Sequence, residues 1–218
     1  MPESENPLGQ VATRSLFENP DVRVWEMDVG PGETCGLHHH SNDYVLYITS
    51  GAELKVDDKD QGEYVFAGRE RSVYYIPAGG TESFRNVSKT PFREALIEIK
   101  RPARAGQDRG SFTICEALVG MEVPSGSVCV LENDRMRVVE TTLAPGQNAR
   151  MQRAERDAAV FVVDPGKVKV VERESAGSER TLEEARESKD VRWERSGVER
   201  EIVNLGPGRY REVRVEIK

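Results

Sequence analysis

Gly32-Glu33-Thr34-Cys35-Gly36-Leu37-His38-His39-His40-Ser41-Asn42-Asp43-Tyr44-Val45-Leu46-Tyr47-Ile48-Thr49-Ser50-Gly51 holds every histidine of the chain. Its second half, Tyr44 to Thr49, is a β-branched and aromatic run that stops at a Ser-Gly turn pair, the pattern of a strand. Side chains at i and i+2 of a strand share a face, so an extended chain projects His38 and His40 together and turns His39 away. Two imidazoles on one face, about 7 Å apart along the chain, are spaced to share one metal ion. The same parity continues to Tyr44, Leu46 and Ile48, which would line the same interior. The opposite register pairs His39 with Asp43 and brings only one histidine inside.

Outward from this stretch, the sequence is written twice. Glu18-Asn19, Arg23-Val24-Trp25-Glu26 and Pro31-Gly32 return 114 positions later as Glu132-Asn133, Arg137-Val138-Val139-Glu140 and Pro145-Gly146. Asn86, Phe92-Arg93-Glu94 and Glu98-Ile99-Lys100 return 118 positions later as Asn204, Tyr210-Arg211-Glu212 and Glu216-Ile217-Lys218. A duplicated start and a duplicated end mark two copies of one structural unit. Where the first copy has its histidines, the second has Gln152-Arg153-Ala154.

Strand signals fill both copies. Val22, Val24, Met27 and Val29, then Val73-Tyr74-Tyr75-Ile76 before Pro77-Ala78-Gly79-Gly80, then Ala95 to Ile99, read as strands of the first. Val160 to Val163, Val168 to Val171 and Val213 to Ile217 read as strands of the second. Short strands between Gly/Pro turns predict an all-β sandwich or barrel. Thr181 to Glu187, strongly charged and following Ser175-Ala176-Gly177-Ser178, is expected to be a solvated loop. Arg101 to Asp108 has the composition of a linker, and Phe112 to Val119 that of an added strand or a segment packed across the other unit.

The 218 residues carry a net charge of −7, with 37% hydrophobic, 32% charged and 6% aromatic residues, so two units of modest core are expected. They are expected to share an interface and stabilise one another. A negative balance argues against nucleic acid, whose phosphates need a basic surface. No apolar run approaches the roughly 20 residues of a membrane span, and the polar, acidic Met1 to Asn6 is unlike a signal peptide. Cys35, Cys115 and Cys129 are an odd count that reads as reduced thiols in a cytoplasmic protein. No nucleophile elbow, phosphate-binding loop, dinucleotide fingerprint or CxxC pair is present.

Gly32, five residues, His38-x-His40, three residues, Tyr44, six residues and Gly51 resembles the first motif of the cupin superfamily. That motif has a glycine, an H-x-H pair, a glutamate three to four residues on and a glycine six residues later. Pro77-Ala78-Gly79, two residues, Glu82, three residues and Asn86 resembles the second motif, P-x-G, two residues, His, three residues, Asn. As a tandem, the chain is similar to a bicupin. The resemblance implies two tandem cupin-type (jelly-roll) antiparallel β-barrels, packed as a pseudo-dimer. An N-terminal arm would cover 1–15 and a first cupin domain 16–101. A linker or added strand would follow over 102–129, then a second, metal-free domain over 130–218.

His38 and His40 fall on two of the four family ligand positions. Tyr44 stands where the motif has its glutamate, and Glu82 where it has its third histidine. Two imidazoles and one carboxylate form the facial triad of non-heme Fe(II) oxygenases and also suit Zn, Mn or Ni. The expected site is therefore one divalent ion on His38, His40 and Glu82, with Tyr44 a distal ligand or, like Glu82, a proton-moving group. Glu82 has an alternative as a carboxylate at the barrel mouth paired with Arg85 or another base. Cys35 reads as a small buried thiol. In the second unit Gln152, Ala154 and Arg200 take the ligand positions, and an arginine there repels a cation. That unit is expected to be scaffolding, or to bind an anion through Arg153 and Arg200.

The resemblance thus implies a metal-dependent enzyme acting on a small oxygen-rich or carboxylated metabolite by oxygenase, isomerase, decarboxylase or lyase chemistry. A non-catalytic, small-molecule-binding bicupin is the alternative. An apolar pocket lined by Leu46, Ile48 and Phe84 would favour catalysis. The expected partners are a small molecule and at most a second copy, monomer or homodimer, with neither nucleic acid nor membrane.

Overall fold

The computed structural model describes residues 8–121, 125–174 and 177–218, with backbone alone at 150–152. Every regular element among them is a strand, so no helix is available to cross a membrane. The chain divides into two compact units. One is the described part of Met1–Pro102 together with Ser111–Gly120; the other is Ala103–Gly110 with the described part of Met121–Lys218.

The first unit contains β1 (Arg14–Glu18), β2 (Val22–Val29), β3 (Thr34–His39), β4 (Asp43–Ser50), β5 (Glu53–Asp58), β6 (Gly62–Ala67), β7 (Val73–Ile76), β8 (Thr81–Asn86), β9 (Phe92–Ile99) and β10 (Thr113–Cys115). They form a six-stranded sheet ordered β1-β2-β9-β4-β7-β10 and a four-stranded sheet ordered β3-β8-β5-β6. All pairings are antiparallel. The apolar core takes Trp25, Met27, Leu46, Tyr74 and Leu96 from the larger sheet and Leu54, Val56 and Phe84 from the smaller. The two sheets therefore pack face to face. Burying such side chains contributes roughly 1.5–3 kcal/mol each. Residues 1–7 of the expected N-terminal arm lie outside the described residues, whereas Arg14 to Glu18 pair with β2. Thr113 to Cys115, from the stretch linking the two repeats, pair with β7.

The second unit contains β11 (Gly126–Glu132), β12 (Met136–Leu143), β13 (Asn148–Arg153), β14 (Ala158–Asp164), β15 (Gly166–Arg173), β16 (Glu179–Arg186), β17 (Val191–Glu194), β18 (Glu199–Asn204) and β19 (Tyr210–Ile217). Its sheets are ordered β11-β12-β19-β14-β17 and β13-β18-β15-β16. The expected loop over Thr181 to Glu187 is corrected here. Residues up to Arg186 belong to β16, which pairs with β15 from Gly166↔Arg186 to Arg173↔Glu179. Its charges are those of an edge strand, with Glu179, Arg180, Thr181 and Glu183 exposed and Arg186 turned inward. Ser175 and Ala176, in the turn before it, lie outside the described residues.

The repeated asparagines are structural. Asn86 is fully buried, and its Nδ2 donates to the carbonyls of Val29 and Thr90; Asn204 donates likewise to Leu143 and Gly208. Each also ties down the repeated Pro-Gly turn, because Gly32 N–H donates to Asn86 O and Gly146 N–H to Asn204 O. Gly32 and Gly146 sit at φ +77° and +75°, in the left-handed region that glycine enters without strain. At Gly51 a Cβ would lie 2.6 Å from Gly68 O, so the turn after β4 admits no side chain.

Candidate metal centre and ligand cavity

His38 lies opposite Glu82 in the β3–β8 register, and directly opposed residues share a face. The register slips between Cys35 and His38. Within that bulge, His38 Nδ1 lies 2.8 Å from Gly36 O. A carbonyl only accepts, so Nδ1 carries the proton and Nε2 presents its lone pair. Nε2 lies 3.8 Å from Glu82 Oε1. His40 follows the end of β3, where its N–H donates to Gly80 O and its carbonyl accepts from Gly79 N–H. These bonds fix it against the Pro77–Gly80 turn, which Asp43 holds from the other side by accepting from Ala78 N–H. His40 Nε2 lies 3.9 Å from the same Glu82 oxygen.

The three donor atoms lie within 4.8 Å of one another. The two rings meet edge to face at 5.0 Å, both are buried, and His39 turns away to Thr81 Oγ1 at 2.8 Å. Burial holds both histidines below their ordinary pKa, His40 at about 3 through burial and the neighbouring imidazoles, so both are neutral near pH 7. Their approaches to Glu82 are thus not ion pairs. Burial, then the Asp58 carboxylate, push Glu82 up to about 7. Arg85, the expected alternative contact of Glu82, instead donates to Gly32 O.

These observations bear on metal fit. The set contains two neutral imidazoles with Nε2 facing one carboxylate, which is a donor set for Fe, Mn, Ni or Zn. Ligands about 2.0–2.2 Å from a common ion at tetrahedral or octahedral angles stand roughly 2.8–3.6 Å apart, so the three donors would draw closer together on binding one. His38 already has the supporting hydrogen bond that metal-binding histidines require on the far nitrogen. His40 Nδ1 is buried without a hydrogen-bonding partner. His40 is held by packing, its ring stacked on Tyr44 at 4.0 Å and 14°. Burial and nearby carboxylates raise Tyr44 well above its ordinary value, so its phenol stays protonated. Cys35 Sγ is 3.6 Å from His38 Nδ1, on the ring's far side from Glu82, and burial pushes its thiol to about 11.

The cluster opens into a cavity of about 570 Å³ lined by Leu46, Leu54, Phe66, Phe84, Phe92 and Glu94, among others. Leu46 and Phe84 were expected there. Ile48 is fully buried in the core and does not line it. Glu94 is the residue that sequence reading missed. It lines the cavity at 5% exposure, and its Oε2 has no hydrogen-bonding partner. Burial, then the nearby Glu82 carboxylate, raise its pKa well above the ordinary range. Period-two reading of Phe92-Arg93-Glu94 was the available signal, since it puts Glu94 on the face of Phe92.

No protein-family model and no curated protein matches the chain. Solved structures do. An oxalate decarboxylase superposes with a TM-score of 0.67 at 13% identity, over 92% of this chain and 70% of that one. The Bacillus subtilis oxalate decarboxylase, a protein with Mn(II) centres, gives 0.67 at 12% identity over 96% and 78%. AerE from Microcystis aeruginosa gives 0.60 at 14% identity over 95% and 97%. The chain shares the cupin-like β fold of these structures.

Within that fold, the second unit is filled differently. Arg200, at the position of Glu82, donates to Glu172 at 2.8 Å and to Glu194 at 3.3 Å, and Arg214 also binds Glu194. Ala154 offers no donor atom, and the side chain of Gln152 lies outside the described residues.

Proposed function

We propose that the chain is a bicupin whose first jelly-roll unit binds one divalent metal ion through His38, His40 and Glu82. It uses that ion to act on a small carboxylated molecule. The carrying observation is the convergence of two neutral imidazoles and one carboxylate within 4.8 Å at the wall of a cavity. The Mn(II) centres of the Bacillus subtilis oxalate decarboxylase, a protein of the same fold, favour manganese among the candidates.

The chemistry a bound divalent ion supplies is Lewis-acid polarisation of ligand oxygens. The chain's residues do the rest. His38, oriented by Gly36 O, and His40, held by the Tyr44 ring, present Nε2 to the site. Glu82 Oε1 is the atom nearest both rings, which leaves Oε2 to hold or move a proton. Leu46, Phe84 and Ile76 give the cavity apolar walls beside it. Tyr44 keeps its proton and serves as a hydrogen-bond donor and as the packing surface of His40.

The second reading, a bicupin that captures a metabolite without transforming it, draws on Tyr44. A protonated phenol replaces the motif's carboxylate ligand and leaves a three-donor set.

Elemental analysis of untagged protein beside a His38→Ala/His40→Ala variant tests the metal site. About one equivalent of metal in the wild type and none in the variant is expected. No metal in either after anaerobic reconstitution would overturn it.

A further inference from the structure

The two units place corresponding residues in corresponding registers, and Glu94 has a counterpart whose situation is opposite. Glu94 pairs with Met27 across β2–β9, and Glu212 with Thr141 across β12–β19. Glu212 is buried and satisfied, with Arg186 donating to its Oε2 at 2.7 Å and Tyr210 O–H donating to the same oxygen. Phe92 occupies the position of Tyr210 and has no hydroxyl. The position of Arg186 is found from the ladders: Leu54 faces Asn86 and Phe66, as Val168 faces Asn204 and Glu184. Two residues beyond Phe66 is Gly68, and two beyond Glu184 is Arg186.

The first unit thus retains the buried glutamate and lacks both groups that satisfy it in the second. A Cβ at Gly68 would meet Phe92 Cε2 at 2.8 Å and Phe66 Cε1 at 3.0 Å, so aromatic rings have closed over the place of the arginine. An unsatisfied buried carboxyl costs on the order of 1–3 kcal/mol, and a site that tolerates such a cost is a candidate for binding. Glu94 opens onto the cavity. It lies four residues along β9 from Glu98, the register mate of Tyr44, or about 13 Å of strand. Leu46 and Leu96 occupy the row between.

We propose that Glu94 recognises an uncharged hydroxyl or carbonyl of a small molecule whose apolar body fills the cavity and whose carboxylate end reaches His38, His40 and Glu82. This rests on the reading of those three residues as the metal site. The ligand is then longer and more apolar than a compact oxygen-rich acid, with polar groups at both ends. A carboxyl kept protonated by its apolar surroundings donates to a carbonyl and accepts from a hydroxyl.

Calorimetry on the full chain, with and without Mn(II), compares octanoate with 8-hydroxyoctanoate in wild type, Glu94→Gln and Glu94→Leu. Wild type is expected to favour the hydroxy acid about five- to tenfold, the yield of one buried hydrogen bond. Glu94→Gln should keep part of that preference, and Glu94→Leu should lose it while melting at or above the wild-type temperature. Equal or weaker binding of the hydroxy acid by wild type, no binding of either acid, or a preference retained in Glu94→Leu would overturn the assignment. So would a lower melting temperature for the leucine variant, which would mark the carboxyl as structural. The metal reading fails separately. A hydroxyl preference that survives in protein with no affinity for Mn(II) removes the metal and leaves Glu94 in place.

Discussion

At the scale of the residue, burial decides protonation. His40 is neutral because its ring is enclosed, and the same enclosure favours the protonated form of Glu94. For Glu94 the sign follows directly. Its folded pKa lies above the unfolded value of about 4.3, so its contribution to stability is fully present below that value. It is lost as pH rises through the folded pKa. Glutamine does not titrate. In metal-free protein the stability gap between Glu94→Gln and wild type should therefore be small at pH 4 and widen toward pH 8. Its slope should reach at most about 1.4 kcal/mol per pH unit. Denaturant titrations across that range check this, and a gap independent of pH would contradict it. The His38–His40 pair was legible in the sequence because strand parity alone joins residues two apart. Glu94 was not, since a glutamate in a strand gives no sign of whether its face meets solvent or a cavity. Only Phe92 and Leu96 on either side hinted at it.

At the scale of the element, turns and bulges aim the site. The slip between Cys35 and His38 turns the Gly36 carbonyl onto an imidazole, and the Pro77–Gly80 turn clamps the backbone of His40. Such slips are invisible to a periodic pattern, which is why spacing found the histidines and not what orients them. β16 eluded the pattern for a different reason. Its inward residues include Arg186, whose charge is met there by Glu212 and Glu184. Burial opposes that charge, but Glu212, Tyr210 and Glu184 together more than offset it and raise the arginine's pKa. Gly51 offers a test at this scale. Its substitution by alanine would drive a Cβ into the backbone carbonyl of Gly68, so Gly51→Ala should cost about 1–3 kcal/mol. Urea unfolding measures this, and an unchanged midpoint would show that the turn relaxes freely.

At the scale of the whole molecule, the duplication supplies two frames with two interiors. The buried asparagines and Pro-Gly turns are common to both, while one interior holds His38, His40 and Glu82 and the other an Arg200–Glu172–Glu194–Arg214 network. Metal should therefore stabilise the chain unevenly. At a hundredfold excess over Kd a single site contributes about 2.7 kcal/mol. Hydrogen exchange on adding Mn(II) should slow across Asp43–Ser50 and Thr81–Asn86 and stay unchanged across Ala158–Asp164 and Glu199–Asn204. Equal slowing in both sets would point to a second site.

β16 ends its sheet, and a sheet's last strand is a template on which further strands can add. Its exposed residues include Glu179, Arg180 and Glu183. A second copy laid along that border would have to desolvate these charges before gaining any backbone hydrogen bond. The charge density that disguised the strand in the sequence therefore guards it against fibrillar stacking.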